Sequence, residues 1–284
     1  MSNRFIHLSI VFICSTTISR KVLKKFRALH TTPSDMCRHS LFGKNLQRFR
    51  LVTFDITDTL LRFRLKPYLQ YKKTAQELGF NVNENALTQC FAKCFKHMTK
   101  TYPNFGKSSN MDWQTWWTLL VADIFRCADS TINSQQLKII SNRLLDVYRT
   151  PECWQHIEGG QKLIELVRAE GKKIGVISNF DPSLRNVLSQ MDLDVFDFVL
   201  TSYECGAQKP NNRIFEMALA ASNENIEPHQ ALHIGNTHEL DYVGARASGW
   251  SSLLIDSNKN KIKDHQFNSL LELVDHLETK EMQW

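Results

Sequence analysis

From Phe49 onward, short β-rich runs ending in polar residues alternate with longer stretches of helical periodicity. The runs are Leu51–Phe54, Lys173–Ile177, Phe196–Leu200, Ala231–Ile234 and Ser252–Ile255. Between them Gly160–Glu170, Ser183–Gln190, Asn211–Ala221 and Glu239–Ser248 predict helices, and Gly171, Gly206 and Gly249 stand where helices or loops must turn. Strands alternating with helices predict βαβ units, hence an α/β, doubly wound, Rossmann-like parallel sheet.

Residues 66–155 break the alternation. Four helical segments are predicted near Pro67–Leu78, Glu84–Lys100, Asp112–Cys127 and Ser134–Tyr148, punctuated by Asn81, Pro103-Asn104, Gly106, Ser130 and Pro151. A helical module at 66–155 is therefore inserted into a core made of residues 48–65 and 156–284. Trp113, Trp116 and Trp117 fall at helical spacing and predict a packing stripe rather than a ligand box.

Composition adds little until it is divided along the chain. The 284 residues are 42% hydrophobic, enough for a substantial core. No segment reaches the roughly 18 uninterrupted apolar residues of a membrane span, so no membrane partner is expected. The net charge of +6 is uneven: residues 1–50 carry ten bases against one acid, and the remainder carries 25 bases against 28 acids. The core is thus mildly acidic and predicts no nucleic-acid partner. Oligomeric state is not legible.

Residues 1–47 form a basic leader set apart from the fold. Their Arg, Lys, Ser and Thr resemble a mitochondrial transit peptide. Phe5–Cys14, followed by the basic stretch Arg20–Arg27, also reads as a weak secretory core. A plain leader with Met36 as alternative start is the third reading. The seven Cys show no C-x-x-C and no metal-ligand spacing, and no Asn-x-Ser/Thr sequon occurs. Reduced thiols in an intracellular compartment are expected, cytoplasm or mitochondrion, with the nucleus open.

In a doubly wound sheet, ligands sit beyond the carboxyl ends of the strands. Those ends carry Asp55-Ile56-Thr57-Asp58-Thr59, Ser178-Asn179, Gln208-Lys209-Pro210 and Gly235-Asn236-Thr237-His238-Glu239-Leu240-Asp241. Together they offer a nucleophilic carboxylate, a hydroxyl, an ammonium and a second carboxylate. A carboxylate can attack phosphorus to form an acyl phosphate, provided positive charge neutralises the meeting of two anions. Lys209 and a hard cation such as Mg²⁺ between Asp55 and Asp241 can supply it.

That order of motifs resembles the haloacid dehalogenase superfamily with a helical cap, over roughly residues 48–278. Arg50–Leu61 and Ile177-Ser178-Asn179-Phe180-Asp181 are similar to the haloacid dehalogenase-like hydrolase domain-containing protein 3 group within it. The resemblance implies Asp55 as nucleophile, Thr59 and Ser178 as phosphate-holding hydroxyls, and Lys209 as the neutralising lysine. It implies Asp241 and Asn236, with the Thr57 carbonyl and Asp55, around the metal, and Ser178, Asn179 and Lys209 on a small phosphorylated substrate.

Two residues depart from the superfamily phosphatase pattern. Thr57 stands where the acid/base Asp is usual, and a Thr hydroxyl cannot protonate a leaving alkoxide; such help is typically worth about 10²–10⁴-fold. Asp58, on an extended strand end, is expected to point away. Asn236 replaces a second Asp and removes one negative charge from the metal site. Three functions follow: a Mg²⁺-dependent phosphohydrolase, a catalytically impaired binding or regulatory protein, or a metal-free dehalogenase-type hydrolase using Arg62 or Arg64.

Overall fold

The computed structural model describes residues 41–257 and 265–284. The transit, secretory and Met36 readings lie outside the described residues. Those of 41–47 do not belong to a separate leader. Residues 41–46 are helical, Phe42 and Leu46 are fully buried in the core, and Asn45 Nδ2 donates to the Leu277 and Lys280 carbonyls at 2.9 and 2.7 Å. The boundary at residue 47 is thereby corrected: the fold has begun by residue 41.

A six-stranded sheet forms the centre: β1 (Leu51–Phe54), β4 (Lys173–Ser178), β5 (Phe198–Thr201), β6 (Ala231–Gly235), β7 (Ser251–Ile255) and β8 (Gln266–Phe267). The order is β5-β4-β1-β6-β7-β8, parallel throughout. Every residue of β1, β6 and β7 is buried, as expected of parallel strands covered on both faces. Around the sheet lie α5 (Gly160–Ala169), α6 (Leu184–Gln190), α7 (Asn212–Ala221), α8 (Gly244–Ala247) and α9 (Leu270–Thr279). The stretch expected as one helix at 239–248 is a π-helical segment, His238–Val243, running into α8.

The inserted module is α1 (Pro67–Glu77), α2 (Glu84–Thr101), α3 (Trp113–Ala128) and α4 (Ser134–Val147). Local chemistry sets their starts. Pro67 opens α1, the Asn83 and Asp112 side chains accept from the Ala86 and Thr115 amides, and Asn133 with Gln136 forms a capping box. A two-stranded antiparallel ribbon, β2 (Leu61–Phe63) with β3 (Trp154–His156), joins module and core, and it gave no period-2 signal over three residues. Among the described residues no helix is long and apolar enough to cross a membrane.

One expectation fails here and another holds in part. Cys90 on α2 and Cys127 on α3 form a disulfide, while Cys94, Cys153 and Cys205 are free thiols. The pairing depends on how α2 and α3 pack, which a separation of 37 residues hides. The cysteines thus no longer argue for a reducing compartment. The tryptophans also divide: Trp116 is 1% exposed and packs in the core, whereas Trp113 and Trp117 line a cavity.

Candidate active site

β1 is flanked by β4 on one side and β6 on the other, so the strand ends meet at a topological switch point. Asp55 continues the ladder for one residue, its amide donating to the Ile234 carbonyl at 2.9 Å. The chain then turns sharply: the Thr59, Leu60 and Leu61 amides converge on the Ile56 carbonyl, and Asp58 takes a left-handed φ of 60°. The turn, rather than an extended strand end, leaves Asp58 exposed and off the cavity wall, while Thr57 lines the cavity.

Three of the expected residues meet directly. Lys209 Nζ lies 2.9 Å from Asp55 Oδ1 and 2.5 Å from Asp241 Oδ1, with the Lys209 and Asp241 side chains each 1% exposed. Buried charges persist only when paired and hydrogen-bonded. Burial opposes the charge on Lys209, but the two carboxylates outweigh it and push the ammonium above its ordinary value. Burial likewise works to raise Asp241, but Lys209 and His233 hold it well below the usual carboxylate range. On Asp55 burial prevails over Lys209, and its carboxyl titrates higher than usual. Lys209 and Asp241 therefore form the tight pair, and Asp55 is the more easily protonated third member.

Sequence reasoning missed His233. It is fully buried in β6, with Nε2 3.1 Å from Asp241 Oδ1 and Nδ1 2.9 Å from Thr53 Oγ1. Burial, helped by the Lys209 charge, keeps its pKa low and the ring neutral. Ionised Asp241 can only accept, so the proton belongs on Nε2, and Nδ1 accepts from Thr53. The available signal was a titratable residue inside an otherwise apolar buried strand, which requires hydrogen-bond partners.

The other expected residues hold the scaffold. Asn179 clamps the Lys209 backbone in both directions, Nδ2 donating to its carbonyl at 3.0 Å and Oδ1 accepting from its amide at 2.8 Å. Fully buried Thr59 donates to Asn236 Oδ1 at 3.3 Å. Ser178 ends β4 at 2% exposure, on the same sheet edge as Asp55. Gly235 is required: a Cβ there would stand 2.3 Å from Asp241 Cγ.

Asp241 already accepts three hydrogen bonds, which leaves it one lone-pair site for a metal. Its Oδ1 is taken by Lys209 and His233, and its Oδ2 accepts from the Thr237 amide at 2.8 Å. Among the described residues no three His, Cys, Asp or Glu converge on a metal position. The Asp55 carboxylate, the Thr57 carbonyl and the Asn236 amide oxygen are hard donors suited to Mg²⁺, but with a single negative charge. Arg62 and Arg64 are exposed, and Arg64 Nε donates to the Pro151 carbonyl at 2.9 Å. The arginine on the cavity wall is Arg149 instead.

A family model described as haloacid dehalogenase-like hydrolase matches residues 49–249. The chain is 40% identical over 220 residues to the rhythmically expressed gene 2 protein of Drosophila melanogaster, covering 75% of this chain and 85% of that one. It is 36% identical over 209 residues to haloacid dehalogenase-like hydrolase domain-containing protein 3 of Bos taurus, covering 73% and 82%. The solved HAD-hydrolase YfnB of Bacillus subtilis, bound to magnesium, superposes with a TM-score of 0.60 at 15% identity, over 81% of this chain and 99% of that one. That last likeness speaks for the fold alone. With four chain segments gathered at one sheet edge and the family match spanning all of them, the chain belongs to the haloacid dehalogenase-like hydrolases.

Proposed function

We propose that the protein is a phosphohydrolase that cleaves a small organic phosphate monoester through Asp55. The observation that carries this reading is the Lys209 ammonium between Asp55 Oδ1 and Asp241 Oδ1. Attack of a carboxylate on a phosphate brings two anions together and needs fixed positive charge at that point.

Lys209 holds Asp55 Oδ1, so Oδ2 is the oxygen that bonds to phosphorus. The ester P–O bond breaks as the aspartyl phosphate forms, and the leaving alkoxide takes its proton from water, since Thr57 is too weak an acid. Water then attacks the phosphorus, releasing inorganic phosphate and regenerating Asp55. The Ser178 hydroxyl and strand-end amides hold the equatorial oxygens. Asp55, through the second lone pair of Oδ1, with the Thr57 carbonyl and the Asn236 amide oxygen would hold Mg²⁺, which would supply further positive charge. Helices α1–α4 act as a cap whose closure excludes water.

The second reading, a binding or regulatory protein with impaired turnover, is favoured by Thr57 and by Asn236. The dehalogenase-type reading has lost both of its cap arginines. A panel of phosphate esters with Mg²⁺, run on wild type and Asp55→Asn, tests the first two. Asp55-dependent phosphate release supports hydrolysis. A beryllium fluoride adduct on Asp55 without turnover supports the second reading, and neither signal overturns Asp55 as a phosphoryl acceptor.

A further inference from the structure

The cavity between the helical module and the sheet edge has a volume of about 420 Å³, and ten of its nineteen wall residues are aromatic. It falls in the range of about 300–1,000 Å³ found for drug-sized ligand sites.

Its charged side chains, Asp181 and Arg149, already have partners within the fold. Asp181 Oδ2 accepts from Trp117 Nε1 at 2.8 Å and its Oδ1 from the Ser183 amide at 2.8 Å. Arg149 lies 5.8 Å over the Trp113 ring, with Nε donating to the Leu145 carbonyl at 2.9 Å. With ten of nineteen wall residues aromatic, a sugar or glycerol moiety would bury most of its hydroxyls here against apolar surface, which is unfavourable without partners. A flat apolar body meets the opposite situation. Phe91 and Phe95 stack in parallel at 5.7 Å, and Phe105 lies tilted against Trp117 at 5.8 Å. Aromatic faces and edges of this kind accept another ring in stacked or edge-on contact.

The cavity reaches the sheet edge at Thr57 and Asn179, two residues beyond Asp55 and in contact with the Lys209 backbone. We infer that the substrate is a phosphate ester whose alcohol carries a large aromatic group, with the ring in the cavity and the phosphoryl group at Asp55. The inference rests on the phosphohydrolase reading for the position of the phosphate, and on the cavity walls for the ring.

The test compares naphthylethyl phosphate with butyl phosphate, two esters of primary alcohols with similar leaving groups, in the presence of Mg²⁺. The expected result is a kcat/KM higher by about tenfold or more for the naphthyl ester, in line with the additional apolar area buried. Leu145→Trp, which fills part of the cavity, is expected to bring the ratio of the two esters towards one. Equal or reversed preference in wild type, with turnover present, overturns the aromatic substrate while leaving phosphohydrolysis intact. If neither ester turns over, it is phosphohydrolysis that fails. Calorimetric titration of wild type with the matching phosphonates then decides the cavity. Tenfold tighter binding of the naphthyl compound supports the inference, and equal binding overturns it.

Discussion

Lys209 Nζ lies 2.5 Å from Asp241 Oδ1, and both side chains are 1% exposed. Removing one member of a buried pair strands the other charge and typically costs about 3–5 kcal/mol. Lys209→Met is therefore expected to destabilise the fold by that order in urea titration. Adding Asp241→Asn to it is expected to recover part of the loss, because contacting residues are not additive. Strict additivity of the two single effects would refute the coupling.

Asp55→Asn preserves shape and leaves Lys209 its tighter partner, Asp241. Turnover is expected to fall to background while Tm stays within about 4 °C of wild type, the shift produced by roughly 1 kcal/mol in a domain of this size. Activity retained in a well-folded variant would remove Asp55 as nucleophile.

Only ionised Asp55 attacks phosphorus, and burial raises its carboxyl above the ordinary 3.8. Hydrolysis is expected to be lost as pH falls and Asp55 takes up a proton, with the acid limb above 3.8 at sub-saturating Mg²⁺ and moving lower as the cation, which favours the ionised carboxyl, fills the site. pH–rate profiles at low and saturating Mg²⁺ check it; an acid limb that does not move with Mg²⁺ contradicts the assignment.

His233 has its pKa lowered from 6.5 by burial. Below pH 6.5 the unfolded chain takes up a proton that the folded chain refuses, so stability from this residue declines as pH falls. The raised carboxyls of Asp55 and Asp181 act in the opposite sense, but they remain in both proteins when wild type is compared with His233→Gln. Urea midpoints measured from pH 7.5 to 5 are expected to fall more steeply for wild type. Parallel curves would show that His233 is not held neutral.

Thr57 lines the cavity where an acid would face the leaving group. Thr57→Asp is expected to raise kcat by about 10²-fold or more on alkyl phosphates. Little gain is expected on aryl phosphates with acidic phenols, whose leaving group needs no proton. A uniform change across both classes would indicate a different cause.

The layered sheet and the inserted helices were legible from the residues alone, because burial patterns and caps are local. Leu51–Phe54 is apolar because both faces are covered, and Asn83, Asp112 and Asn133 start helices through bonds three residues away. The sequence also placed Asp55, Lys209 and Asp241 at strand ends, and the fold brings them into contact. Tertiary structure alone decided what each does with its remaining valence. Asp241 faces Lys209, His233 and the Thr237 amide, Asn179 holds the Lys209 backbone, and Cys90 meets Cys127. These are orientations across segments far apart in the chain. Spacing names the candidates, but close packing and the pairing of every buried charge fix which atoms meet.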